Sequence, residues 1–411
     1  MFDSTKFAWV TFGMYTAIVL LPGAFLDSNL IPEEYLRIAM IGCALFIVGV
    51  LAGALLFPFR APATLQIDAP ALHRGLAWTV GLQLIGALYV FAAGPTSPLI
   101  AGLTMEDAFE LAVLREGAVK LNTDPIFVTV YAWSRDVLSP IAFVLGVHTL
   151  RCSRSVGTRR LAWVGMLLAL ALGLWSGQKA TVVNYLVAAI IFSALSGWSM
   201  VRTFLKLVPL LVLAVLAIFA LTLPQLFSGN LDIGDASDVL FQAVIHRILL
   251  GPLELAAAYV YSVDELHIIS RFDVLPIGSA LWTPGIGTVE NRIGLEFFYS
   301  GIDSISANGL AFAYALVLGG YLACLIGGVL VVATYKACTW LVRSSGSMYM
   351  SAAYGALLSY HSLDLLNGNF MGYLITAGEY AVLLWLIGSL RVRPVAAGGA
   401  ADVARSVDVA R

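Results

Sequence analysis

The strongest constraint on this chain is a series of apolar runs, each about as long as a helix needs to cross a bilayer, roughly 20 residues. They fall near 7–26, 36–58, 75–93, 127–150, 161–176, 180–197, 203–224, 309–334, 348–366 and 371–390. A backbone inside hydrocarbon must satisfy its own hydrogen bonds, so each run is expected to be helical. Charge content agrees. Only 12% of residues are charged, against about 25% in ordinary soluble domains. The expected fold is an all-α polytopic membrane protein of about ten spans, a single membrane domain over 1–411 with no separate soluble domain. Phe7 to Phe25 reads as a first span, since no small-residue cleavage site follows it. The tail 394–411 is mostly Ala, Gly, Val and Arg and is expected to be disordered.

Basic residues orient the spans, because cytoplasmic loops carry the excess of Lys and Arg. With both termini inside, the outer side receives Arg37, Arg115, Lys120, Arg135, Lys179, Arg247, Arg271 and Arg292. The rest of the 23 basic residues fall on the cytoplasmic side. Asp27, Glu33 and Glu34 occupy the first outer loop. This places 225–308, between spans seven and eight, outside: in the periplasm of a bacterial inner membrane if the cell is Gram-negative. A net charge of −2 says little about partners. Membrane lipids are expected and nucleic acid is not.

The loop 225–308 holds most of the chain's chemistry. Asp238, Gln242 and His246 share one face of a helical pattern that runs to Val263 and breaks at Gly251-Pro252. Such a helix rests on the bundle or dips into it. Pro276, Gly278, Pro284, Gly285 and Gly287 then mark an irregular loop, flanked by His267, Arg271 and Asp273 on one side and by Glu290, Asn291, Arg292 and Glu296 on the other. Long structureless loops in compact proteins are usually functional. A second outer loop, 94–126, contains Thr104-Met-Glu-Asp107, the pattern of a capping box, and reads either as an amphipathic helix at the interface or as a helical loop packed on the bundle.

Several charges lie at the outer ends of spans. Arg135 and Asp136 open the fourth, where Arg135 either anchors the interface beside Trp133 or faces a cavity and contacts phosphate. Lys179 closes the tight turn between spans five and six, either snorkelling or held over a cavity. His361 and Asp364 are three apart at the end of the ninth span, and Glu379 sits mid-way along the tenth. The glycines of the eighth span (Gly309, Gly319, Gly320, Gly327, Gly328) suit close helix packing. Cys43, Cys152, Cys324 and Cys338 have no metal-ligand spacing and read as packed thiols, and neither a metal site nor a cofactor motif is evident.

Arg135, Lys179, Arg247, Arg271 and Arg292 make a basic set suited to a lipid pyrophosphate, since guanidinium binds phosphate through a planar fork. Trp133, Trp175, Trp282, Phe297, Phe298 and Tyr299, with Asn291, suit sugar binding. His246, Glu296, His361 and Asp364 are candidate bases for an acceptor hydroxyl, a role that contributes about 10²–10⁴-fold.

The run Asn291-Arg-Ile-Gly-Leu-Glu-Phe-Phe-Tyr299, then Ser306-Ala-Asn-Gly309 leading to Leu318–Gly328, resembles the end of the long external loop and the next span in oligosaccharide repeat-unit polymerases of the O-antigen polymerase type. The Ser176-Gly-Gln-Lys179 turn is similar to the small-residue-plus-cation turn of that family. The resemblance implies a glycosyltransferase C-like fold. It implies polymerisation of undecaprenyl-pyrophosphate-linked repeat units into an O-antigen or exopolysaccharide, with a chain-length regulator as an expected partner. By position, Arg247, Arg271 and Arg292 would hold the pyrophosphates. The Arg-x10-Gly pattern of some members is absent from the long loop, where Arg271 reaches Trp282 and Arg292 reaches Asp303. Three alternatives stand beside this reading: an O-antigen ligase of the same broad fold, in which His246 or His267 matters more, a polysaccharide transporter or flippase, and a non-enzymatic assembly partner for other polysaccharide proteins.

Overall fold

The structure, a computed structural model, describes residues 4–25, 31–58, 69–94, 97–101, 124–175, 179–196, 205, 207, 209, 251–271, 273, 289–297, 310–363, 365 and 370–391. Among these residues every regular element is a helix. The chain is an all-α polytopic membrane protein. Helix α1 runs Ser4–Tyr15, passes through a π turn at Thr16–Leu20 and ends with Leu21–Phe25. There follow α2 (Glu33–Leu56), α3 (Ala69–Ala93), α4 (Pro125–Trp133, a π turn Ser134–Leu138, then Ser139–Cys152), α5 (Val156–Trp175) and α6 (Lys179–Leu195). The second half contains α7 (Gly251–Asp264), α8 (Val289–Phe297), α9 (Ala311–Ser344), α10 (Met348–His361) and α11 (Phe370–Arg391).

Six of these helices are long and apolar enough to cross a membrane: α1, α2, α3, α5, α9 and α11. The fourth, sixth and ninth expected spans are also helical. The fourth is divided by its π turn, and α6 and α10 are shorter, at 17 and 14 residues. The seventh expected span lies almost wholly outside the described residues, as do the capping box at 104–107 and the tail.

Local signals account for the helix starts. Asp124 caps α4 by accepting from the Ile126 N–H at 2.9 Å, with Pro125 in the first turn. Ser347 caps α10, its Oγ accepting from the Met350 N–H at 3.3 Å. Glu33 and Glu34 follow Pro32 in the first turn of α2, where carboxylates complement the helix dipole.

A close backbone-to-backbone contact joins α2 to α9. A Cβ on Gly49 would stand 2.1 Å from the Leu325 carbonyl oxygen, and one on Gly328 would stand 2.2 Å from that of Phe46. The two backbones therefore touch, as small residues allow in membranes. Farther up, α9 leaves helical geometry at Gly319 and Gly320, and Gly320 has φ 66°, ψ −155°. That region is essentially glycine-only. The break frees the first part of α9 to follow its own course. Leu310 through Val317 are all buried there, and the Tyr314 hydroxyl lies 3.0 Å from that of Tyr259 on α7.

Helix α7 belongs to the bundle rather than to its surface. Leu253, Glu254, Ala256 through Val260 and Ser262 are buried, covering nearly the whole circumference. It starts at Gly251-Pro252, where the sequence pattern breaks, and Leu253 fills the notch left by Gly23 of α1. Its far end is tied to the start of α2, where the Tyr35 hydroxyl donates to Glu265 Oε1 at 3.1 Å.

These glycine contacts can be checked. Gly49→Ala and Gly328→Ala should each destabilise the protein by about 1–3 kcal/mol, because the neighbouring atom is backbone and cannot rotate away. Gly81→Ala, where an added Cβ meets nothing within 4 Å, should be neutral or slightly stabilising. Thermal unfolding of the purified variants in lipid nanodiscs measures the difference.

Candidate functional site

The most chemically distinctive place in the bundle is the π turn of α4. A π turn widens the helix by one residue, leaves a carbonyl without its regular partner, and is frequent at functional sites. Here the Ser134 carbonyl accepts twice from Ser139, from its backbone N–H, which closes the π turn, and from its hydroxyl at 2.7 Å; Gln83 of α3 stands 3.0 Å from the same hydroxyl. Gly86 makes room, since a Cβ there would lie 2.0 Å from Ser134 Oγ. Sequence, bulge and neighbouring helix therefore agree on this distortion.

The turn presents Arg135 and Asp136 together. Arg135 donates through Nε to Asp136 Oδ1 and through Nη2 to Oδ2, both at 2.8 Å. The guanidinium also lies over the Tyr131 ring, 5.1 Å from its centroid. Their side chains are 17% and 26% exposed, so the pair is partly withdrawn from its surroundings without being sealed. Adjacent opposite charges cancel at long range, which makes the pair tolerable inside an apolar span. Tyrosines from two other helices complete the setting. Tyr185 of α6 donates to the Arg135 carbonyl at 2.7 Å, and Tyr360 of α10 donates to Asp136 Oδ1 at 3.3 Å. His361 stands next, edge-on to Tyr360 and 5.1 Å from the Tyr380 ring of α11.

The other side of the same turn faces a groove. Ser134, Val137 and Leu138 help line an apolar cavity of about 640 Å³ between α3, α4, α10 and α11. Along α3 its wall extends from Tyr89 to Gly75, about 20 Å at the rise of a helix. Trp78, Leu82, Ile85 and Trp133 on its rim are exposed, so it opens sideways from the bundle.

A second polar group is built on α7 and α8. Arg292 of α8 lies 3.5 Å from Asp273 Oδ2 and donates to the Ile268 carbonyl at 3.4 Å, while Asp273 accepts from the Ser270 N–H at 2.9 Å. With side chains only 15% and 10% exposed, these residues clasp α8 to the turn after α7. Arg271 is more open. It stands 3.7 Å from Asp264 at a pocket of about 210 Å³ beside the Gly320 break. His267 adopts φ 51° just after α7, with Nδ1 3.0 Å from the Val263 carbonyl, so it ends the helix.

The sequence candidates thus fall into separate places. Arg135 lies in the π-turn cluster, and His361 is next in the chain to Tyr360, which joins that cluster through Asp136. Arg271 and Arg292 belong to the second group, and Glu296 is exposed in the last turn of α8. Asn291 lies on α8, and Lys179 is the first residue of α6. His246, Arg247, Trp282, Tyr299 and Asp364 lie outside the described residues. Helix α10 stops at His361. Trp175 is not a sugar platform. It is 2% exposed and packs against Phe127 and Tyr131, with Ser97 donating to its carbonyl at 2.8 Å. Phe297 packs 6.0 Å from Tyr261. Sequence reasoning missed Tyr185. The available signal was a tyrosine inside an apolar span, whose hydroxyl needs an acceptor when buried. Among the described residues no group of three His, Cys, Asp or Glu is placed to hold a metal ion. Comparison of the chain with protein-family models, curated proteins and solved structures finds no match.

The Arg292 clasp makes a thermodynamic prediction. In a double-mutant cycle of Arg292→Ala and Asp273→Asn, unfolding free energies should show a coupling of about 0.5–3 kcal/mol. Additive effects would mean that the contact contributes nothing to holding α8.

Proposed function

We propose that this protein is a membrane glycosyltransferase that polymerises undecaprenyl-pyrophosphate-linked oligosaccharide repeat units into a surface polysaccharide. In this reading it lies in a bacterial inner membrane with both termini cytoplasmic and its site facing the periplasm, in a glycosyltransferase C-like arrangement. One observation carries the reading: a single π turn supplies a guanidinium on one side and the wall of a sideways-opening apolar groove on the other. A lipid pyrophosphate needs that combination of cation and hydrocarbon surface. The resemblance of 291–299 and of the 318–328 region to repeat-unit polymerases points the same way.

In the proposed reaction, a hydroxyl of the acceptor repeat unit attacks the anomeric carbon of the donor glycan. The new glycosidic bond forms as the bond from that carbon to the pyrophosphate oxygen breaks. The pyrophosphate leaves on its polyprenyl carrier with the bonding electron pair. Arg135 stabilises the charge that develops on it, with Lys179, Arg247 and Arg271 as further cations for donor and acceptor. Asp136 and Tyr131 fix the guanidinium plane so that its outer edge is pre-aligned. The acceptor proton passes to a base, for which His361, beside the Tyr360 that bonds Asp136, is the first candidate, with His246, Glu296 and Asp364 as the others. Arg292 is engaged by Asp273 and serves to position α8, which carries Asn291 and Glu296.

The test uses purified protein in liposomes with authentic undecaprenyl-pyrophosphate repeat units, and a gel that resolves chain length. Wild type should give a ladder. Arg135→Lys keeps a charge for Asp136 but loses the planar fork, and should cut the rate about 10²–10³-fold while unfolding at a temperature near wild type. A ladder undiminished in Arg135→Lys removes Arg135 from the pyrophosphate site. No wild-type ladder, with transfer appearing only when a lipid A core is added, favours a ligase. Glycan crossing the bilayer without lengthening favours a transporter.

A further inference from the structure

The end of the bundle opposite the π turn carries a concentration of arginine that the proposed transfer does not use. Arg151 lies in the last turn of α4, about 24 Å from Arg135 at the rise of a helix. Arg154 sits in the short connection that follows, Arg159 and Arg160 near the start of α5, and Arg74 near the start of α3. The starts of α3 and α5 are joined there, with His73 Nδ1 3.1 Å from Thr158 Oγ1. Arg74, Arg154, Arg159 and Arg160 are exposed. Arg154, Arg159 and Arg160 form no ion pair among the described residues. Residues 69–93 and 139–175 include no Asp or Glu. The nearest acid in the chain, Asp68, lies outside the described residues and would offset one charge of the five.

Position and chemistry narrow what meets these charges. Both α3 and α5 continue from this end as apolar helices long enough to cross a membrane. Four residues beyond each arginine, on the same helix face, an exposed apolar side chain follows: Trp78 after Arg74, Trp163 after Arg159 and Val164 after Arg160. A cation therefore stands directly above an apolar side chain in all three places. That is the division of an anionic phospholipid, a phosphodiester above acyl chains, and tryptophan is favoured at the boundary between them. A soluble acidic protein segment matches the charges alone. Helix stability does not explain the arginines either, since the start of a helix favours acids and the first turn of α5 has none. Orienting a chain in a membrane requires only positive charge, which lysine supplies equally. All five positions are arginine, whose planar fork holds a phosphate through two hydrogen bonds.

We propose that this surface binds the phosphate of an anionic phospholipid, with Arg154, Arg159 and Arg160 on the head group and Trp163 and Val164 against the acyl chains. Arg74 and Trp78 extend the same surface onto α3, so bound lipid bridges the two helices that His73 and Thr158 already join. The site lies at the other end of α4 from Arg135. It does not depend on the polymerase reading and requires only that the protein sits in a bilayer.

The test offers the purified full-length protein equal amounts of phosphatidylglycerol and phosphatidylcholine with matched acyl chains, and counts bound lipids by native mass spectrometry. Wild type should retain phosphatidylglycerol about tenfold over phosphatidylcholine, with the preference falling as salt rises. A triple variant, Arg154→Gln with Arg159→Gln and Arg160→Gln, should bring the two lipids within about twofold of each other. The same three positions changed to lysine keep the charge that orients the chain and lose the planar fork, and should give an intermediate preference. Arg37→Gln removes an exposed cation at the start of α2 and should leave the preference as in wild type. Equal retention of the two lipids by wild type overturns the proposal. So does a preference undiminished in the glutamine variant or, should that variant fail to insert, in the lysine variant. A loss in Arg37→Gln as large as in the glutamine variant overturns it too. Displacement of the lipid by soluble glycerol phosphate at equal concentration reassigns the arginines to a free phosphate. An acidic protein that copurifies with wild type and not with the glutamine variant, in place of lipid, reassigns them to a protein, and either result overturns the proposal.

Discussion

The architecture depends on one backbone contact, the meeting of α2 and α9 at Gly49 and Gly328. Association of helices in lipid has no hydrophobic driving force and rests on close packing. Where two glycines remove the side chains between them, the helices lock in one register. That register determines where α9 must turn. Its upper part breaks at Gly320 and packs against α7, so that a helix from the long loop becomes an inner element of the bundle. The long loop is thus anchored in the bundle through Tyr35, Leu253 and Tyr259.

On the other side of the molecule a polar interaction has the corresponding role. Arg135 and Asp136 neutralise each other on a widened turn, and hydroxyls from α6 and α10 close around them. Removing one partner of such a pair leaves the other charge in an apolar setting, at a cost of about 3–5 kcal/mol. The pair is therefore both a structural joint among three helices and the place where an anionic head group finds a pre-oriented cation. The groove lies against the same turn, lined by Ser134, Val137 and Leu138.

Much of the fold was legible. The apolar runs of α1, α2, α3, α5, α9 and α11 read as spans because bilayer thickness sets a minimum length and lipid demands helix. The glycines of α9 read as packing residues, and two of them are also the break. The burial of α7 was less legible, because Glu254, Tyr259 and Ser262 resemble an interfacial helix until α2 and α9 are in place around it. For the candidate site, Arg135 and His361 were visible as costly residues in apolar sequence. That α10 packs beside α4, so that Tyr360 bonds Asp136, was not, since 224 residues separate the two. Arg292 looked like an open cation because Asp273 is 19 residues away in the sequence.

By itself the sequence determined class, span positions and the short roster of groups able to carry charge in an apolar chain. These follow from composition and period, which are local properties read against a solvent of known thickness. Tertiary structure alone decided which of those groups face each other, which are consumed in holding helices together, and which helix turns outward with a carboxyl on its surface. Such choices depend on rotation about each helix axis and on helix-to-helix contact. A rotation of 100° per residue means that a one-residue bulge redirects every side chain beyond it.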